Sequence, residues 1–154
     1  MVKVIRIDSV GHFDPNKSLR HAIYSLDFQP SGNRLATAGA DCTVRIWDLS
    51  IILLQSLTNE STVTEGKDET GSNSLLATLS THAKSVNAVR WSRDGQLLAS
   101  ASDDCYIFIH HFTPDAFSTQ PFGSKTLPNK ETWSRLFTLQ GSFVFLYLRC
   151  SSMV

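Results

Sequence analysis

IYSLDFQPSGNRLATAGADCTVRIWD, residues 23–48, holds three apolar-alternating runs separated by two turn signals, and it closes on a Trp-Asp pair. Ile23, Leu26 and Phe28 carry the first run. Gln29-Pro30-Ser31-Gly32-Asn33 ends it with turn chemistry, Gly32 being able to take positive φ. Leu35-Ala36-Thr37-Ala38 is a short strand of small residues and Gly39-Ala40-Asp41 the next turn. Thr43 to Trp47 is a β-branched strand with Val44 and Ile46 on one face. Three antiparallel strands joined by short turns make a meander. Its residues recur downstream: Gly32 lies over Gly95, Leu35 over Leu98, Ala36 over Ala99, Asp41 over Asp104, Cys42 over Cys105 and Ile46 over Ile109. The chain is therefore built on a repeat.

Working outward, VKVIRI near the N-terminus reads as a strand, followed by Gly11-His12 and the polar segment FDPNKSLRHA, which breaks any periodicity. Ile51 to Leu57 fits either a helical turn or a strand end. Thr58 to Ser74 is rich in Ser, Thr, Glu, Asp and Gly and reads as a solvated surface loop. Leu75 to Leu79 then supplies the fourth strand of the first sheet. The second copy comprises His82, the strands Val86–Trp91, Leu97–Ser102 and Tyr106–Phe112, and turns at Ser92–Gly95 and Asp103–Asp104. A Pro-containing loop, Thr113 to Lys130, leads to a strand at Trp133–Leu139 and a turn at Gln140-Gly141-Ser142. The tail FVFLYLRCSSMV is unlike either copy.

Composition narrows the function classes. The 154 residues, 42% hydrophobic and 18% charged, suit one ordinary core. Fourteen basic residues balance fourteen acidic ones, so no net field favours a polyanion, and sequence-specific nucleic-acid binding has no compositional support. Three cysteines, Cys42, Cys105 and Cys150, stand far apart with no CxxC and no His at ligand spacing. That pattern argues for reduced thiols and against a zinc site. No segment approaches the roughly 18 apolar residues of a membrane span, and MVKVIRIDSV lacks the apolar core of a signal peptide. There is no glycine-rich phosphate loop, metal-ligand pair or nucleophile motif, so neither cofactor nor catalytic residue is assigned.

A four-stranded unit closing on Trp-Asp, with Gly-His at its head and Asp in its last turn, resembles the WD repeat of β-propellers. The resemblance implies an all-β fold with two blades, at about 12–80 and 82–139, in a domain of residues 1–141, and a divergent apolar tail over 142–154. It also implies a hydrogen-bonded chain in each blade: His12, Thr37, Asp41 and Trp47 in the first, and His82, Ser100 and Asp104 in the second, where His110 stands in the place of Trp. His21 is the rival for the place of His12, but lies close to Ile23. A His-Asp pair also orients imidazole for proton transfer. Here the set recurs once per unit and its hydroxyl sits on a buried strand, which favours a structural role.

More of the chain resembles a narrower family. IYSLDFQPSGNRLATAGADCTVRIWDL, STHAKSVNAVRWSRDGQLLASASDD, then QPFGS and ETWSRLFTLQG run in the order of the N-terminal propeller of the HIR/HIRA histone-regulator subunits, with Phe122-Gly123-Ser124 before Trp133 the most specific piece. The middle WD subunit of chromatin assembly factor one shares YSLDFQ-like and ETW-like pieces. Either family implies a nuclear, non-catalytic scaffold of a histone chaperone complex acting in nucleosome assembly and transcriptional regulation. Its partners are other chaperone subunits and, through the complex, histones. A WD adaptor of another pathway, such as a ubiquitin-ligase substrate receptor, is the alternative. A seven-bladed ring needs about 300 residues, so the sequence predicts a truncated form. The isolated chain is expected to be marginally folded, with Phe143–Leu148 its most association-prone segment.

Overall fold

The computed structural model describes residues 10–14, 19–30, 32–58, 74–114 and 129–141. The predicted strand at VKVIRI, most of both long loops, Phe122–Ser124 and the tail lie outside the described residues. Two four-stranded antiparallel sheets account for most of the rest. In the first, β3 (Ile23–Phe28), β4 (Arg34–Gly39), β5 (Val44–Asp48) and β6 (Leu75–Leu79) lie in chain order. The second repeats the order with β7 (Val86–Trp91), β8 (Leu97–Ser102), β9 (Tyr106–Phe112) and β10 (Trp133–Gln140). The repeat read from the sequence is thus a repeat of whole meanders.

Two segments take forms the sequence left open. His12 and the FDPNKSLRHA that follows it carry a small hairpin, β1 (His12–Asp14) with β2 (Leu19–His21), which places His12 opposite His21. Leu49–Thr58 is a helix, α1, begun by Asp48 of the Trp-Asp pair: its Oδ1 accepts the main-chain N–H of Ser50 (2.9 Å) and Ile51 (3.4 Å), an N-cap. The helix buries Ile52 against Leu35 and Trp47. Leu53 and Leu54 remain exposed.

Strand register explains which side chains meet. Ala36 and Ala38 of β4, Val44 and Ile46 of β5, and Ala77 and Leu79 of β6 share one face of the first sheet. Val86, Val89, Trp91, Leu98 and Trp133 of the second sheet pack against it. Val44, Ile46, Val86, Val89 and Leu98 are fully buried there, each contributing about 1.5–3 kcal/mol relative to exposure. Small alanines on β4 let the second sheet approach closely.

Polar contacts fix the angle of approach. The Oγ of Ser25 accepts the Val89 N–H (3.3 Å) and an Arg90 N–H (2.9 Å). Asp27 receives Trp91 twice, its carboxylate taking the main-chain N–H at 2.7 Å and its carbonyl the indole N–H at 3.2 Å. On the outer side, Glu131 accepts Arg34 at 2.6 and 3.0 Å and the Trp133 indole N–H at 3.2 Å. The Arg34 guanidinium also lies over the Phe112 ring, 5.1 Å from its centroid. The Leu76 carbonyl takes the N–H groups of Lys130 and Glu131, and the Asn129 amide exchanges two bonds with the backbone of Thr78. The segment before β10 therefore covers the outer edge of β6.

Two turns use left-handed backbone at a costly residue. Cys42 and Cys105 have φ of 65° and 69°, each directly after the turn Asp. A non-glycine residue there costs on the order of 1 kcal/mol. The following residue's N–H then folds back onto that Asp, Thr43 onto Asp41 (3.1 Å) and Tyr106 onto Asp104 (3.0 Å).

Removing the outer latch is expected to loosen one sheet from the other. Glu131→Ala should lower stability in urea by about 1–3 kcal/mol, and Arg34→Ala by less. The first leaves the guanidinium with only the Gln29 side-chain oxygen, at 3.3 Å, and the Trp133 indole without its acceptor, whereas the second leaves the indole bond in place.

Candidate functional site

The His-Asp pairs are the only candidates for chemistry that the sequence raised, and the structure brings the members of each set together. In the first sheet the Nδ1 of His12 lies 2.6 Å from Asp41 Oδ1 and its Nε2 lies 2.9 Å from Thr37 Oγ1. The Trp47 indole N–H donates to the same Thr37 oxygen at 2.9 Å. A carboxylate on Nδ1 calls for the proton there, which leaves Nε2 to accept from the Thr37 hydroxyl. The chain then runs without a mismatch: indole N–H to hydroxyl, hydroxyl to imidazole, imidazole to carboxylate. His12 and Thr37 are each 1% exposed. His21, the rival, sits across the hairpin from His12.

Asp41 is the most heavily bonded member. Besides His12 it accepts the Thr43 main-chain N–H and hydroxyl, and Arg45 at 3.2 Å. Burial pushes its carboxyl up, but the hydrogen bond and charge of His12 and the Thr43 bonds outweigh that and hold it down at about 2. Arg45 ties the set to the head of the repeat by donating to the Gly11 carbonyl at 3.0 Å.

The second sheet repeats the arrangement with a shorter chain. His82 places Nδ1 2.9 Å from Asp104 Oδ2 and Nε2 2.9 Å from Ser100 Oγ. Asp104 also accepts the N–H groups of Ala83 (2.9 Å) and Tyr106 (3.0 Å). Burial pushes the Asp104 carboxyl up, and these amide bonds together with His82 leave it below its usual value. Phe108 stacks on the His82 ring at 4.4 Å, and Arg135 lies over Phe108 at 4.9 Å. The register gives the Trp position to His110: Leu35 stands opposite Trp47 in β5, and Leu98 opposite His110 in β9. Among the described residues neither ring nitrogen of His110 meets a partner in hydrogen-bonding geometry, and the residue is 1% exposed. Burial, helped by the positive charges of His82, Arg135 and His111, pulls its imidazole down to about 4.

Sequence reading missed Ser25, Asp27, Arg34 and Glu131, which join the two sheets. Their signal was present only as the quoted pieces YSLDF and ETW, whose roles depend on partners far away in the chain. No cluster of three or more metal-ligating side chains occurs among the described residues. A shallow apolar pocket of about 230 Å³ lies between the start of β9 and the end of β10, lined by Ala101, Ile107 and Leu139 among others.

Two outcomes check this geometry. Thr37→Val, which removes the acceptor of Trp47 and the donor to His12, should cost about 1–3 kcal/mol. Ser100→Ala, which breaks a single bond, should cost about 1 kcal/mol; equal losses on urea unfolding would contradict the shared role of Thr37. The second concerns pH. The unfolded chain binds a proton at His110 near pH 6.5 and the folded chain only near 4, so stability falls as pH drops through that window. Asp41, held at about 2, adds a further loss from about pH 4 downward. His110→Phe should flatten the upper part of the curve and leave the lower part unchanged.

The two meanders have counterparts among known proteins. The WD domain, G-beta repeat pattern matches residues 11–48 and 73–111. The chain is 40% identical over 119 residues to Protein HIRA of Zea mays, across 77% of this chain and 11% of that protein. It is 37% identical over 141 residues to Protein HIR1 of Mycosarcoma maydis, across 91% of this chain and 13% of the other. It is 33% identical to a Chromatin assembly factor 1 subunit of Gallus gallus, across 97% of this chain and 24% of that protein. The chain thus spans a small fraction of the length of these relatives. The fold is similar to the beta-propeller domain of Cps50 (Swd1) from Myceliophteria thermophila, at a TM-score of 0.51 and 12% identity over 79% of this chain and 30% of that one. Crystalline Sqt1 of Saccharomyces cerevisiae gives a TM-score of 0.50 at 14% identity, over 79% of this chain and 24% of Sqt1. This chain belongs to the WD domain, G-beta repeat family; its described sheets are blades of a β-propeller, and it resembles the HIRA/HIR1 proteins and the chromatin assembly factor protein.

Proposed function

We propose that the chain serves as a non-catalytic WD-repeat scaffold in a nuclear histone chaperone complex, acting in nucleosome assembly, chromatin organisation and transcriptional regulation. The observation that carries this reading is the 37% identity to Protein HIR1 over 91% of the chain, which includes both blades and the Glu131-Thr132-Trp133 latch. Its partners are the other subunits of the complex, with histones reached through them.

The buried sets support a structural rather than a catalytic role for His12, Thr37, Asp41 and Trp47, and for His82, Ser100 and Asp104. The His12 and His82 side chains are 0% exposed. Both nitrogens of each ring are taken up within the blade, so no substrate atom has a path to them. Fully satisfied buried polar chains rigidify a fold, and these join the head of each repeat to its middle strands and last turn. The likeness to the Gallus gallus chromatin assembly factor protein favours a second member of the same functional class.

Affinity purification of the tagged chain from nuclear extract is expected to recover histone chaperone subunits. Recovery of ubiquitin-ligase components in their place would sink the chromatin reading and leave the WD assignment intact. His12→Phe is expected to reduce the soluble yield. A His12→Phe chain that melts like the unsubstituted one would remove the structural role given to that set.

A further inference from the structure

The two blades finish their outer strands differently. The outer edge of β6 is taken up: the Leu76 carbonyl receives the N–H groups of Lys130 and Glu131, and the Asn129 side chain holds both main-chain groups of Thr78. β10, the terminal strand of the second sheet, has no such cover among the described residues. Its last stretch, residues 137–141, carries neither charge nor proline to keep other strands away, and the one irregularity of the strand, the register shift between Arg135 and Phe137, lies before it. Phe137 and Leu139 are 57% and 54% exposed there. We infer that this stretch is a self-association surface, on which β10 of a second copy of the chain pairs antiparallel across a two-fold axis at Leu139.

Backbone parity selects the register. The Gly141 N–H donates inward to the Cys105 carbonyl at 3.1 Å. Main-chain groups alternate sides along a strand, so those of Thr138 and Gln140 face the open edge. A two-fold at Leu139 sets Thr138 of each copy opposite Gln140 of the other, each pair exchanging both of its N–H···O=C bonds. A two-fold at Thr138 instead brings Gln140 against Leu136 of the other copy, which lies inside the register shift, where the ladder is irregular.

The side chains favour a second copy over a foreign strand. Ala101, Ile107 and Leu139 already form one row across the sheet. On the axis Leu139 meets its own counterpart at a non-hydrogen-bonded position, where facing side chains approach most closely, so the rows of the two copies become one. Phe137 falls opposite Gly141 of the other copy, the one position in the stretch without a side chain. There it covers the mouth of the apolar pocket that Ile107, Leu139 and Gly141 help to line. The projecting ring and the gap that receives it belong to the same stretch, as an isologous contact demands, and such a contact closes on itself as a dimer. Arg135, the nearest charge on the strand, falls outside the paired residues, so no like charges face each other.

Sedimentation and hydrogen exchange of the full chain over a concentration series, up to on the order of 1 mM, test this. A monomer–dimer equilibrium is expected. The Thr138 and Gln140 amides should gain protection on the order of tenfold or more as the dimer forms, while the Val89 and Trp91 amides, held by Ser25 and Asp27 within one copy, stay unchanged. Thr138→Pro removes an outward donor and leaves the inward bonds of β10 in place, so it should abolish the dimer with Val89 and Trp91 still protected. A cysteine arm reads the register: Leu139→Cys should oxidise to a dimer linked 139 to 139, in on the order of tenfold higher yield than Thr138→Cys gives a 138 to 138 link, since only the first lies within disulfide reach of its counterpart. Protection of Thr138 and Gln140 that is independent of concentration places the cover within one chain and overturns the inference. A chain that stays monomeric throughout, a Thr138→Pro chain that dimerises as before, oligomers that grow past the dimer, or a 138 link formed as readily as the 139 link would each overturn it too.

Discussion

Asp27 holds both ends of Trp91, its carboxylate on the main-chain N–H and its own carbonyl on the indole, and the rest of the arrangement follows from that grip. Among the described residues the inner strand of the second blade, β7, has no sheet neighbour on its free edge, and its N–H groups must be satisfied when the blades close. Asp27 and Ser25 supply side-chain acceptors at alternate positions of β3, matching the alternate N–H groups of Val89 and Trp91. These bonds set the register of the blades across the apolar contact that includes Ala36, Ala38, Val89 and Leu98. The latch of Arg34 on Glu131 repeats the idea at the outer rim. One blade is thus pinned to the other at both ends of its sheet, with the apolar core between.

Within each blade a different economy applies. The long chain from Trp47 through Thr37 and His12 to Asp41 joins β5, β4, the head of the repeat and the turn, so the middle of the first blade is braced. The second blade keeps the half nearest the turn and gives up the rest, for His110 offers no bond to Ser100. Aromatic stacking takes over there: Phe108 on His82, and Arg135 on Phe108. The second blade is thus braced by ring contacts on His82 where the first is braced by the indole of Trp47.

Much of this was legible in the amino-acid sequence, and the reasons are local. β-branched and small residues alternating between Gly-, Pro- and Asp-containing turns mark β3 to β5 and β7 to β9 with bounds close to those observed. The resemblance to the WD repeat singles out His12, Thr37, Asp41 and Trp47, and His82, Ser100 and Asp104 in the second copy. The helix after Trp-Asp was ambiguous because an apolar run such as Ile51–Leu54 satisfies either period. The seat on Ser25 and Asp27 and the bond from Arg34 to Glu131 were invisible, since a polar pair brought together from distant parts of the chain leaves no periodic trace. The left-handed turns at Cys42 and Cys105 gave no warning either. Position beside an Asp predicts a turn there, but a thiol carries none of the conformational signature that Gly or Asn would.

The seat on β3 has a further consequence for how copies of this chain meet. By the repeat, Leu26 and Phe28 occupy the places of Val89 and Trp91, and Ala88 and Arg90 the places of Ser25 and Asp27. A second molecule offering its first blade to the back of this molecule's second blade would find a methyl group and a guanidinium where two acceptors are needed. Contacts of that head-to-tail kind do not close on themselves and extend without limit when they are favourable. The two blades are alike enough to share a fold, yet Ala88 and Arg90 do not reproduce the side-chain acceptors that Ser25 and Asp27 offer.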